Sequence, residues 1–253
     1  MGLPGRVVLV TGASSGIGAA VAEQVAAAGA LVGLVGRDEA RLARVAAGIA
    51  EHGGRALALP ADVTERAAVR RVVEEVTREL GVVDVLVNNA GLSVWQHMVN
   101  ADQDSWDAMV DTNIRGTLNC IAAVLPGMVA RRSGYIVNMS SVRGVVAGSG
   151  GAVYCGTKHF LEGLSAALRL EVAGQGVRVS TVQPTLVDTP LVTTNLAGAD
   201  VAAVEERRAA MARMAGAMLR PADVARSVLF LLEQPEHVII PSLPVHACAQ
   251  SFS

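Results

Sequence analysis

Short β-branched runs alternating with amphipathic stretches fill most of this 253-residue chain. The first run, 7–10, is continuously apolar and is bounded by Pro-Gly before and Thr-Gly after, the pattern of a strand buried on both faces. Helix periodicity follows over 19–28, a second strand over 29–36, and a charged helix over 38–52. A third strand covers 56–60, with Thr64 placed to cap a helix over 65–80. A fourth strand at 82–87, helices over 104–111 and 112–131, a fifth strand at 134–141, a helix over 154–173 and a sixth strand at 177–182 complete the regular part. The segment 191–219 is rich in Ala, Met and Arg with no strand signal, and reads as one or two surface helices able to cover a site. Arg220-Pro-Ala-Asp opens the last helix, and a final strand over 236–245 contains Pro241 and Pro244, which suit a sheet edge or an extended tail. Six repeats of strand then helix predict right-handed crossovers and an α/β fold with a doubly wound parallel sheet, helices on both faces. No repeat, low-complexity linker or composition break divides residues 1–253, so a single domain is expected.

Ligands on such a sheet sit at the carboxyl ends of the strands, and the unusual residues of this chain fall there. After the first strand comes Thr11-Gly12-Ala-Ser14-Ser15-Gly16-Ile17-Gly18, then helix, an order that presents free backbone N–H groups and a positive helix end to a phosphate. The second strand ends in Gly36-Arg37. An acidic side chain there would hold the ribose hydroxyls of NAD, whereas a guanidinium suits a 2′-phosphate, so NADP(H) is favoured over NAD(H). Asp62 ends the third strand where an adenine edge would lie, and Asn88-Asn89-Ala90-Gly91 ends the fourth. Asn113 sits inside a helical pattern for which Asn is a poor former, so it faces solvent or has a polar role. Ser140 and Ser141 end the fifth strand, and Tyr154-x-x-x-Lys158 opens the helix beyond it, with phenol and ammonium on one helix face. A Tyr that exchanges a proton near neutrality needs about 4 kcal/mol of differential stabilisation of its phenolate. An exposed lysine pair contributes only about 0–1 kcal/mol. The arrangement therefore calls for a water-shielded site and a second cation, which an oxidised nicotinamide would supply. Taken alone, the same spacing also occurs on ordinary amphipathic helices.

Composition narrows the function classes. Half of the residues are hydrophobic, enough for a core covered on both faces. A formal net charge of −2 with no block of like charge argues against nucleic acid or an anionic membrane as partner. Cys120, Cys155 and Cys248 have neither metal-ligand nor redox spacing, so no metal is expected and a reducing compartment fits. No apolar run approaches the ~20 residues that span a bilayer, and the apolar start is too short for a signal-peptide core, so a cytoplasmic protein is expected.

Together these residues give the chain a close resemblance to the short-chain dehydrogenase/reductase family over nearly its whole length. The resemblance rests on Thr11-Gly-x-x-x-Gly16-x-Gly18, Asn88-Asn-Ala-Gly91, Asn113, Ser141 and Tyr154-x-x-x-Lys158, in order and at familiar separations. It implies a Rossmann-type fold and a catalytic tetrad. Tyr154 would exchange a proton with the substrate oxygen, and Lys158 would lower the Tyr154 pKa and hold the nicotinamide ribose. Ser141, selected over Ser140 by its thirteen-residue separation from Tyr154, would polarise the carbonyl, and Asn113 would anchor a water. It further implies that Gly12, Ser14, Ser15, Gly16, Ile17 and Gly18 lie along the phosphates, Asp62 and Val63 at adenine, and Asn89, Ala90 and Gly91 at the adenosine ribose. Pro184, Val187 and Thr189 would lie at the carboxamide. Thr185 departs from the family's usual Pro-Gly and puts a side chain in the expected pocket floor, and the ending Pro235-Glu-His-Val-Ile-Ile is similar to a branch containing serine and 3-hydroxy-acid dehydrogenases and clavulanate-forming reductases. The resemblance also implies a homotetramer, or a homodimer, packed through the Asn113 and Tyr154 helices and the final strand. Substrate-lining candidates are Ser93, Val94, Trp95 and His97, 142–146 and 185–196; most are apolar, and no arginine is clearly placed to grip a carboxylate, although Arg143 could. The expected activity is hydride transfer between NADP(H) and a moderately apolar ketone, aldehyde or secondary alcohol, with a catalytically silent NADP-sensing protein on the same fold as the alternative.

Overall fold

A computed structural model of the chain describes residues 2–100, 102–190 and 218–248, together with Ala209 and Arg213. Seven strands form one parallel sheet: β1 (Val7–Thr11), β2 (Leu31–Gly36), β3 (Arg55–Pro60), β4 (Val85–Asn88), β5 (Gly134–Met139), β6 (Val177–Pro184) and β7 (Ser242–Val245). Their order is β3-β2-β1-β4-β5-β6-β7, so the chain winds outward from β1 in one direction and then from β4 in the other. The reversal between β1 and β4 opens a crevice at their carboxyl ends, where this topology takes ligands.

Seven α-helices cover the sheet among the described residues: α1 (Gly16–Ala27), α2 (Glu39–Glu51), α3 (Arg66–Glu79), α4 (Gln103–Val110), α5 (Thr117–Ala130), α6 (Ala152–Glu171) and α7 (Pro221–Glu233). Alternate side chains of each strand serve opposite faces. Val8 and Val10 join Leu34, Val21, Val25, Val228 and Leu232 in a core under α1 and α7. Leu9 joins Leu86, Ile136, Val76, Ile121 and Leu168 in a second core under α3, α5 and α6. Burial on both faces explains why the central strands read as unbroken β-branched runs.

Several boundaries differ from the sequence expectation for identifiable reasons. Helix α3 begins at Arg66 with Glu65 at its N-cap and no side-chain cap bond. Thr64 does not cap it, because Asp62 Oδ1 accepts the Thr64 amide at 2.9 Å and closes the turn first. Between α4 and α5 the chain makes a π-helical turn over Asp111–Gly116, a local widening that helix periodicity does not reveal. The last strand lies at the sheet edge, paired in parallel with β6 from Thr181↔Ser242 to Pro184↔Val245, but it spans only Ser242–Val245, with Pro244 inside it and Pro241 just before it. The helices expected within 191–219, and the substrate candidates 191–196, lie outside the described residues except at the points named above. No helix among the described residues is long and apolar enough to cross a membrane.

Candidate active site

The turn after β1 is shaped by close backbone approach. Gly12 and Gly16 have φ of 65° and 57°, left-handed values that favour glycine. A Cβ on Gly18 would stand 2.2 Å from the Gly12 carbonyl oxygen, and one on Gly12 would stand 2.9 Å from Ala90 Cα. Thr11 Oγ1 accepts the amides of Asn89 and Ala90, both at 3.0 Å, while Asn89 Nδ2 donates to the carbonyls of Thr11 at 3.0 Å and Gly12 at 3.3 Å. The ends of β1 and β4 are thereby stapled together. The first turn of α1 stays open, since its N-cap Ser15 makes no side-chain cap bond.

A cleft of about 510 Å³ runs from this turn across the sheet. It is lined by Ser14, Ser15 and Ile17 of the turn, Arg37 and Arg41 beyond β2, Asp62 and Val63 after β3, Asn89 to Gly91 after β4, and Thr189 and Pro190. The donor set fits an extended diphosphate: glycines that admit its backbone approach, open amides at a helix start, and two guanidiniums four residues apart. Arg41 pairs with Asp38, the N-cap of α2, whose Oδ2 lies 3.1 Å from Arg41 Nε. Sequence reading missed Arg41, although its offset of one helical turn from Arg37 was visible. It also missed Asn119, whose Nδ2 donates to the Val63 and Thr64 carbonyls at 3.0 Å and fixes the loop that carries Asp62.

Asn113 resolves toward a polar role. It is buried in the π-helical turn, its Oδ1 accepts the Leu92 amide at 2.7 Å, and its Nδ2 donates to Leu92 O at 2.9 Å and Thr157 Oγ1 at 3.0 Å. It thus holds the loop after β4 to the second turn of α6.

On α6, Tyr154 and Lys158 are both buried. Lys158 Nζ donates to Met139 O at 2.8 Å and stands 5.8 Å from the Tyr154 ring centroid. Ser141 Oγ accepts the Arg143 amide at 3.1 Å and donates to Pro184 O at 3.4 Å, and it lies close enough to the Tyr154 phenol to lower its proton affinity. Burial raises the phenol above its ordinary range, against the lowering pull of the Ser141 hydroxyl and, more weakly, Arg143. Burial also lowers the Lys158 ammonium to about 8, with Glu162 pulling it back up. Lys158 therefore does not by itself depress Tyr154 here, because desolvation outweighs the one ammonium.

The mouth beyond Ser141 is built from two segments. Trp95 lies 6.1 Å from the Tyr154 ring, centroid to centroid, and its Nε1 donates to Ser93 Oγ at 3.0 Å. His97 is exposed, and Arg143 Cζ stands 5.6 Å over the Trp95 ring. Thr185 does not crowd the floor: its hydroxyl donates to Val245 O at 3.3 Å, toward β7. Val187 and Thr189 are buried just beyond, where Leu219 bridges Val187 in parallel. The cleft thus gathers most of the residues expected to hold a cofactor. Gly18 is buried and, like Tyr154, Lys158, Pro184 and Val187, does not line it.

A parallel sheet reversing beside a glycine turn, with Tyr, Lys and Ser converging at the next strand end, defines a dinucleotide-binding oxidoreductase. Residues 6–216 match the short chain dehydrogenase family profile, and the chain belongs to the short-chain dehydrogenase/reductase family. It is 41% identical over 236 residues to the glycine betaine reductase ATRR of Emericella nidulans, covering 93% of this chain but only 18% of that much longer protein. It is 38% identical to a probable NADP-dependent dehydrogenase of Haemophilus influenzae, over 97% of this chain and 94% of the other. The closed form of a serine dehydrogenase complexed with NADP+ superposes with a TM-score of 0.90 at 32% identity, covering 98% of this chain and 97% of the other.

Proposed function

We propose that this chain is an NADP(H)-dependent carbonyl reductase or alcohol dehydrogenase in which Tyr154 is the general acid and base. The observation that carries the reading is the burial together of Ser141, Tyr154 and Lys158, with the Lys158 Nζ 5.8 Å from the Tyr154 ring centroid, beside a cleft fitted to a dinucleotide. NADP is supported by Arg37 and Arg41 beyond Gly36, where no carboxylate ends β2. The NADP named in two of the similar proteins supports it too. When bound, the dinucleotide supplies or accepts the hydride and, oxidised, adds a positive charge.

Reduction then divides among the chain's own groups. The glycine turn, Ser14 and Ser15 bind the diphosphate, and the two arginines bind the 2′-phosphate. Ser141 donates to the substrate carbonyl oxygen and polarises it. Tyr154 gives its proton to that oxygen as negative charge develops there; in oxidation it takes the hydroxyl proton instead. Lys158, one helical turn away, stabilises the phenolate and binds the nicotinamide ribose. Asn113 positions both by fixing the start of α6 to the loop after β4.

The raised phenol makes Tyr154 an acid that keeps its proton at neutral pH until the reaction demands it. Tyr154→Phe removes that proton while keeping the ring, and turnover of a carbonyl panel with NADPH should fall by about 10²- to 10⁴-fold. Activity within tenfold of the unmodified enzyme would show that Tyr154 is not the acid, and turnover by neither protein would favour the silent sensor.

A further inference from the structure

Lys158 is a buried cation with little around it to hold its charge. Its one hydrogen bond among the described residues goes to the neutral Met139 carbonyl, which leaves two of its three protons uncommitted. The segments that surround it, 88–99, 134–151 and 177–184, contain no Asp or Glu. On the elements packed against α6, Asp104 and Asp107 of α4 are exposed, and Asp111 of the π-helical turn is paired with Arg115 at 2.8 Å. One carboxylate stands apart. Glu162 follows Lys158 by four residues on α6, one helical turn away on the same face.

Glu162 is held in place rather than merely nearby. Its Oε2 accepts the Thr181 hydroxyl at 2.9 Å, which pins the carboxylate to β6. Its Oε1 is buried without a hydrogen-bond partner, as is the hydroxyl of Ser140 beside Ser141. The loop after Ser141 closes tightly over this spot: a Cβ on Gly144 would stand 2.7 Å from Ser140 Oγ, 2.9 Å from Lys158 O and 3.1 Å from Glu162 Cγ. A carboxylate oxygen kept from water and without a donor is costly unless a cation offsets it. Lys158 is the cation one turn away, and the attraction runs both ways, since Glu162 raises the Lys158 ammonium against the lowering effect of burial.

Resting on the carbonyl reductase reading above, we infer that Glu162 is a positioning residue for the reaction: pinned to β6 by Thr181, its carboxylate is the counter-charge that keeps Lys158 an ammonium beside Tyr154. It acts through Lys158 rather than on the substrate. A neutral amine at that place would not stabilise the phenolate that forms when Tyr154 gives up its proton.

Glu162→Gln tests this, because it keeps an acceptor for the Thr181 hydroxyl and removes the charge. A double-mutant cycle with Lys158→Met, read by urea unfolding, measures the coupling without any turnover. At pH 6 Lys158 is charged in every protein that has it. There Lys158→Met should raise the folding equilibrium constant about tenfold more in the Glu162→Gln background than in the unmodified protein, since an opposite charge at this range moves a pKa by about one unit or more. The excess should vanish by about pH 9.5, once folded Lys158 has lost its proton. A difference below threefold at pH 6, or one that persists at pH 9.5, overturns the counter-charge, because a packing role for Glu162 does not depend on the Lys158 proton.

Turnover supplies the second readout. The alkaline fall of kcat for carbonyl reduction at saturating NADPH should begin about one pH unit lower in Glu162→Gln, and move by less than half of that in Glu162→Asp, which keeps the charge. Tyr154 with its neighbours Cys155 and Arg143, His159 on the next residue of α6, and the exposed Asp104 and Asp107 are common to all of these proteins, so their titrations cancel in both comparisons. Coupling in the cycle with an unmoved alkaline limb overturns the positioning role. If none of the proteins reduces any carbonyl, the reductase reading fails, and the cycle still decides by itself whether Glu162 holds the charge of Lys158.

Discussion

Lys158 should destabilise the fold that it serves, and replacing it with methionine exposes the cost. Burial lowers its ammonium from 10.5 to about 8, so at pH 7 the folded protein carries a buried charge at a penalty of about 3 kcal/mol. Methionine has similar length and no charge, but it abandons the Nζ bond to Met139 O, which offsets about 1 kcal/mol of the gain. Lys158→Met should therefore raise stability at pH 7 by about 2 kcal/mol while carbonyl reduction collapses. The pH dependence separates this from simple repacking. Because the folded pKa lies below the unfolded one, the unfolded chain holds more protons between about pH 8 and 10.5, and stability attributable to Lys158 rises through that window. The advantage of the variant should be full below pH 8 and gone by about pH 10.5. Urea unfolding of both proteins at pH 7, 8, 9 and 10 reads the difference directly. Other groups that titrate there, such as Cys120 with its thiol pushed up to about 12, cancel because both proteins contain them. A variant less stable at pH 7, or a difference that does not change with pH, would refute the reasoning.

Two further outcomes follow from the cleft. Arg37→Ala should weaken NADPH binding by about 10- to 100-fold and NADH by less than threefold, since only the former carries the 2′-phosphate; equal losses in fluorescence titrations would remove Arg37 from phosphate binding. Gly18→Ala places a methyl 2.2 Å from the Gly12 carbonyl oxygen, so thermal unfolding should show a loss of at least about 2 kcal/mol, and an unchanged Tm would mean that the turn is softer than its geometry implies.

What could be read without coordinates was whatever repeats locally. The β-branched runs of β1 and β5 announce burial on both faces, and glycines 12, 16 and 18 announce a turn tight enough to need them. What could not be read depends on partners far away in the chain. Thr11 looks like the last residue of a strand, yet its hydroxyl holds two amides some 78 residues on. Asn113 was visible as an oddity in a helix, but its partners in Leu92 and Thr157 come from different elements. The Arg143 and Trp95 stack joins two loops with no common periodicity. Thr185, unusual in its place, is explained only by Val245 across the sheet edge. The direction of the Tyr154 pKa was hidden for another reason: spacing reveals the neighbouring charge but not the depth of burial, and here depth dominates.

That pairing at the sheet edge also orders events in time. The stretch after β6 that carries Val187 and Thr189 makes its backbone bonds with residues far downstream: the Thr185 amide donates to Val245 O at 2.9 Å, and the Asp188 amide donates to Leu219 O at 2.8 Å. Closing a loop of some sixty residues must precede the first of these bonds, so one wall of the dinucleotide cleft is among the last features to form. A chain emerging from synthesis has its glycine turn, its tyrosine and its lysine well before it has the edge strand that completes that wall.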